Sequence, residues 1–343
     1  MKSKKSPIKK LLAIRGMGAA LTAFAGLIMI YIAFGLINNT VFTGQNIMNL
    51  LRSMSKYLLI GIGQSFVLIT GNIDLSIGSM VGMSAMISAT LMTMGVSPWI
   101  AILVALMGCL AVGVLNGFLV GKFKLPPFIA TLGTMFATRG IAYMVNGNRN
   151  TDAIATGIGK ETADQFQNFF YYDTTFGIFN TFWIAMFLFA IFFFLLAKTR
   201  TGRHIYAIGS NVDAAKLSGV NVVATTTKAY LVSAICSCAV GLILCAQAGM
   251  GNMEAGNMYE MYGVAAGVIG GVSPLGGTGI LLGTLAGSAV WQTLENGLNM
   301  IGAQVGIQRI VIGIIVVFAV LLDVVIRTGQ MGKKKLNRNK AVS

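Results

Sequence analysis

Apolar residues run along this chain in long blocks, and short polar segments separate them. An α-helix needs about 20 such residues to cross a bilayer. The pattern predicts ten spans, at residues 17–37, 57–70, 76–94, 99–121, 128–145, 181–197, 229–248, 259–271, 280–300 and 307–326. The second and eighth are short, so a re-entrant segment would change the count by one. Residues 44–56 are amphipathic and are expected to lie at the interface before the second span. The fold class is therefore all-α and polytopic, with a transmembrane domain at 17–326 between a basic segment, 1–16, and a basic tail, 327–343. A cleaved leader fits the first run poorly: it is too long, and no small-residue site follows Ile37.

Composition supports this reading. Only 10% of residues are charged, against about 25% in soluble domains, and the mean hydropathy is +0.77. The 43 glycines suit close helix approach in a membrane. A net charge of +15 could point to nucleic acid. Its placement points instead to topology: Lys and Arg gather at 1–16, Lys122–Lys124, 198–228 and the tail. The alternate loops hold only Arg52, Lys56, Arg149, Lys160 and Arg309. Such asymmetry places both ends in the cytoplasm.

Soluble chemistry is hard to find. The sequence has no G-x-x-x-x-G-K-[ST] and no H-E-x-x-H, and its single histidine, His204, cannot build a histidine-based metal site. Cys109, Cys236, Cys238 and Cys245 lie in apolar runs and read as buried thiols.

Polar residues inside apolar sequence are the candidate functional groups. Asn72 and Asp74 break the chain after the second span. A charged Asp near the bilayer centre costs about 2.5–3.5 kcal/mol. Asp74 is either a cap for the next helix or part of a solute path or gate. Arg139 either snorkels outward or faces the interior. Glu295, Asn296 and Asn299 cluster near the end of the ninth span and join the path candidates. The connection 146–180 carries Phe166, Phe169, Phe170, Tyr171 and Tyr172, an interfacial belt or a contact for an external partner. Ile69-Thr-Gly71 with Leu75 is echoed by Ile269-Gly-Gly271 with Leu275. Both fall in turns on the same side, whereas an inverted repeat needs opposite sides.

The most polar internal stretch is 198–222, KTRTGRHIYAIGSNVDAAKLSGVNV. Within it, residues 211–219 predict a short helix: Asn211 caps it, Asp213 suits its positive end, and Gly219 terminates it. Ala214 and Ala215 are small enough for a partner to approach. Arg200 and Arg203 can anchor to headgroups or acids. The segment is either a solvated loop or a docking surface.

Asp213-Ala214-Ala215-Lys216-Leu217-Ser218-Gly219 resembles the E-A-A-x-x-x-G coupling segment of ABC importer permeases, with Asp in place of Glu. Four stretches sharpen the resemblance to permeases of ribose- and galactose-type sugar importers: TGNIDLSIGS from Thr70, PFIATLGTM from Pro127, GRHIYAIGSNVDAAKLSGVNV from Gly202, and the run from Tyr259 ending in GGVSPLGGTG. One departure stands at Tyr262, where such permeases often carry an acid. The resemblance implies a permease fold with a cytoplasmic coupling helix in the inner membrane. It implies a homodimer or a pair with a sister permease, and an extracytoplasmic sugar-binding protein. A cytoplasmic subunit would use ATP and Mg, with no cofactor on this chain. Rival readings are a permease for branched-chain amino acids or another small solute, and an ATPase-independent transporter or channel.

Overall fold

The computed structural model describes residues 17–311 together with 313–315, 317 and 321. The basic segment 1–16, the tail 327–343 and much of the tenth predicted span lie outside them. Five helices come first: α1 (Met17–Ile37), α2 (Gly44–Ile69), α3 (Ile77–Thr93), α4 (Pro98–Gly121) and α5 (Pro127–Met144). A folded connection follows, made of a single turn α6 (Ala155–Ile158), α7 (Lys160–Gln167), a π-helical turn at Asn168–Tyr172, and a hairpin of β1 (Thr174–Thr175) and β2 (Ile178–Phe179). The chain then forms α8 (Asn180–Lys198), α9 (Arg200–Ser210), α10 (Val212–Leu217), α11 (Val222–Ala248), α12 (Tyr259–Ile269) and α13 (Leu281–Met300).

Four of these helices, α1, α4, α8 and α11, are long and apolar enough to cross a membrane. Around them pack α2, α3, α12 and α13; α3 is apolar but shorter, at 17 residues. α11 is the central post and packs against α2, α3 and α4. Small residues set those distances: a Cβ at Gly63 of α2 would come within 2.9 Å of Ser233 Cα, and one at Gly117 of α4 within 2.4 Å of Thr227 Cα. Close backbone approach of this kind drives helix association in lipid.

The predicted boundary between an interfacial helix and the second span is absent. Residues 44–69 form one helix, half-exposed at its start and buried from Tyr57 onward. Thr43 caps its start by accepting from the Asn46 N–H, and no Gly or Pro interrupts the run at Lys56. The aromatic connection is also corrected. Phe166, Phe170 and Tyr171 are buried in the core, and only Phe169 and Tyr172 remain exposed. The Arg52 guanidinium lies over the Tyr171 ring at 4.4 Å and over Phe179 at 4.0 Å. The cluster thus closes one end of the bundle.

The matched turns after α2 and α12 share one geometry. Gly71 and Gly271 adopt φ of +80° and +84°. Asn72 N–H donates to Val67 O at 3.3 Å and Val272 N–H to Gly267 O at 2.9 Å. This is the Schellman ending that glycine permits. The two turns touch, with Gly277 N–H donating to Ile69 O at 2.9 Å, so the repeated elements end on the same face.

Candidate functional site

That face also holds α9 and α10. Thr199 starts α9 by accepting from the Gly202 N–H at 3.3 Å. Gly202 lies so close to α8 that a Cβ there would be 1.9 Å from Leu196 O. Ile205 and Ile208 turn inward from α9, while Arg200 and Arg203 are exposed. Tyr206 donates its hydroxyl to Gly279 O at 2.6 Å. Burial pushes this phenol up to about 12, because the charged form is disfavoured away from water. Gly209 sits in the junction of the two matched turns. A Cβ at that position would be 1.8 Å from Ile69 O and 2.5 Å from Gly277 N.

α10 follows at once. Asn211 Oδ1 accepts from the Ala214 N–H at 2.8 Å, and Asp213 and Lys216 occupy the first and last turns, the favourable order for the helix dipole. Gly219, at φ +81°, ends the helix. Ala215 is 4% exposed and faces the protein, whereas Leu217 is 90% and Val212 46% exposed. Ala214 is exposed as well. The helix expected over 211–219 is present at Val212–Leu217, and α9 is a helix the sequence reading did not anticipate. A six-residue helix is unstable alone; α10 persists because its two ends are capped and Ala215 seats it.

Asp74 lies beneath this surface and is 0% exposed. One carboxylate oxygen accepts from the Ser76 N–H at 2.9 Å and from the Ser76 hydroxyl at 2.6 Å. The other accepts from the Ser233 hydroxyl of α11 at 2.6 Å. The N-cap position of α3 is Ser76 itself. Asp74 therefore braces the turn before α3 and ties it to α11. The network continues from Ser76 to Asn116 of α4 at 2.9 Å and from Asn116 to Thr134 of α5 at 2.8 Å. The sequence reading missed Asn116, a lone polar residue in an apolar helix, and Thr134 and Ser233, small hydroxyls among several on their helices. Asn72 stays at the turn and donates to Thr70 Oγ1 at 2.8 Å.

The other path candidates lie elsewhere. Arg139 of α5 faces the interior and donates to Met253 O at 3.0 Å, Ala255 O at 2.8 Å and Gly78 O at 3.3 Å. It pins the loop between α11 and α12 onto α3. On α13, Glu295 accepts from the Tyr57 hydroxyl at 2.8 Å. Asn296 exchanges amide hydrogen bonds with Asn46 at 3.0 and 3.2 Å, and Asn299 accepts from Gln308 at 2.8 Å. The candidates do not form one site: Asn72 and Asp74 stand at the α9–α10 end, and the others at different helix contacts. The four cysteines are buried free thiols.

A bundle of membrane-length helices, with a short capped helix held on one face, defines a multi-pass membrane protein. The family model described as branched-chain amino acid transport system / permease component matches residues 46–320, and the chain belongs to that family. It is 36% identical to the ribose import permease protein RbsC of Bacillus subtilis (strain 168), over 90% of this chain and 94% of that protein. It is 33% identical to the D-allose transport system permease protein AlsC of Escherichia coli (strain K12), over 87% and 89%. The L-arabinose transport system permease protein AraH of the same strain is 33% identical, over 83% and 84%. No solved structure matches the chain.

Proposed function

We propose that this chain is the membrane permease of an ATP-driven importer for a monosaccharide of the ribose, allose or arabinose kind. It carries solute across the inner membrane by alternating access through about ten spans, with both termini in the cytoplasm. A second copy or a sister permease completes the pore, and membrane lipid surrounds it. An extracytoplasmic sugar-binding protein delivers the solute. A cytoplasmic subunit binds ATP and Mg and docks on α10, with Arg200 and Arg203 beside it.

The observation that carries this reading is Leu217, an apolar side chain 90% exposed on the short helix that directly follows α9, whose Gly209 sits in the junction of two structural turns. A partner would cover Leu217, Val212 and Ala214, while Ala215 keeps α10 on the body. Force on α10 would pass through α9 and Gly209 to the ends of α2 and α12. Asn72, Asp74, Arg139, Glu295, Asn296 and Asn299 each bond within the protein. Such bonds suit gates that hold helices together better than groups free to meet a solute.

The test is Leu217→Glu in the complete transporter. Sugar uptake and binding of the ATP-using subunit should fall at least tenfold while the permease stays in the membrane. Unchanged uptake would reject α10 as the docking site. Uptake of branched-chain amino acids, and of none of the three sugars, would favour the other substrate class.

A further inference from the structure

At the end opposite α10 the structure holds a cavity of about 470 Å³, lined by polar and apolar groups in similar measure. Its wall is made by Lys56 of α2, Gln247 of α11, Asn252, Glu254 and Asn257 of the following loop, and Tyr259 of α12. Its floor includes Ala85 of α3, which is buried. Small-molecule sites usually span about 300–1,000 Å³ and carry a few convergent polar groups, and this cavity has both properties. Each amide offers a donor and an acceptor, Lys56 offers only donors, and Glu254 when ionised only acceptors. That mixture matches hydroxyls, which donate and accept at one atom.

The cavity is held in shape from both sides. Lys56 Nζ donates to Gln247 Oε1 at 3.1 Å and joins α2 to α11. On the far flank, Arg139 holds the carbonyls of Met253 and Ala255. Tyr143 donates to Glu254 Oε1 at 2.6 Å, and the Met253 N–H donates to Asn150 Oδ1 at 3.0 Å. The loop approaches α3 closely at Gly256, where a Cβ would be 2.3 Å from Gly78 O. A wall fixed in this way presents Asn252, Glu254 and Asn257 without first having to order itself.

We propose that this cavity is a monosaccharide-binding site of the permease, the first it offers to a sugar arriving at the outer face. Gln247 and Asn257 recognise hydroxyls, and Lys56 fixes the Gln247 amide. The site rests on the proposed import of a monosaccharide and adds the residues that select it.

Two measurements on the complete transporter, reconstituted in vesicles, test the proposal. In the first, uptake of D-ribose, D-allose and L-arabinose is compared for the unaltered protein, Gln247→Ala and Asn257→Ala. Each variant should change the ratio among the sugars at least threefold. In the second, Asn257→Cys is labelled by a charged, membrane-impermeant thiol reagent, and millimolar free sugar should slow labelling at least threefold. Unaltered sugar ratios together with unprotected labelling would overturn the cavity while leaving sugar import intact. If the unaltered transporter moves none of the three sugars, the import reading fails and the site falls with it. Protection by leucine or valine but by no sugar would overturn the assignment to sugars.

Discussion

Gly209 of α9 rests directly on the carbonyl of Ile69, so closely that a Cβ at position 209 would stand 1.8 Å from that oxygen. Ile69 is the last residue of α2, and the same oxygen accepts from Gly277 N–H at 2.9 Å. One contact thus joins the exposed helix pair to the ends of two bundle helices. Gly209→Ala forces α9 away from the turn, an overpacking cost of about 1–3 kcal/mol. Uptake should fall at least tenfold with insertion in the membrane unaffected. Sugar uptake and permease abundance in the same membranes check this.

Asn211 supplies the side-chain cap of α10. Removing such a cap costs about 1 kcal/mol, which is large for a helix of six residues. Asn211→Ala should therefore weaken ATP-driven uptake severalfold, and Asn211→Asp or Asn211→Ser, which also cap, should largely retain it. Equal losses in all three would show that the amide acts otherwise.

Asp74 and Ser233 form a buried link between the α3 turn and α11. Asp74→Ala leaves the Ser76 and Ser233 donors unpaired, at about 1–3 kcal/mol for each buried group. Ser233→Ala removes one donor and should cost less. Because the residues touch, the double variant should be less destabilised than the sum of the single variants. Thermal unfolding in detergent reads all three.

Arg139 holds the loop before α12 through three carbonyls. Arg139→Met removes the donors while keeping much of the chain's length. The loop should then open, and Glu254→Cys in the Arg139→Met background should label at least threefold faster than Glu254→Cys alone. Arg139→Lys keeps the charge with fewer donors and should fall between them.

Much of the architecture could be read from the alternation of apolar and polar blocks, because lipid demands long apolar helices wherever they face it. The same physics hides the inner helices. α2 and α3 carry Gly and Ser where they meet protein, so the boundary expected at Lys56 was a change of neighbour and not of structure. The capped helix at 212–217 was legible because Asn211, Asp213 and Gly219 act through local backbone geometry. Ala215 was legible only as a small residue. Which face of α10 it occupies depends on tertiary packing, and it is turned inward. Asn116, Thr134 and Ser233 left no local signal: a lone amide in an apolar helix, or one small hydroxyl among several, finds its partner only through the fold. The cavity at the end opposite α10 was invisible for the same reason, since Lys56, Gln247 and Asn257 come from separate stretches of chain.

The central claim is that this permease moves solute only when a partner bound at α10 supplies the work. Vesicles loaded with the permease alone, and with the permease plus its ATP-using subunit and sugar-binding protein, measure it directly. Sugar should accumulate above its outside concentration only in the complete system and only with ATP. Uphill accumulation by the permease alone would contradict the account.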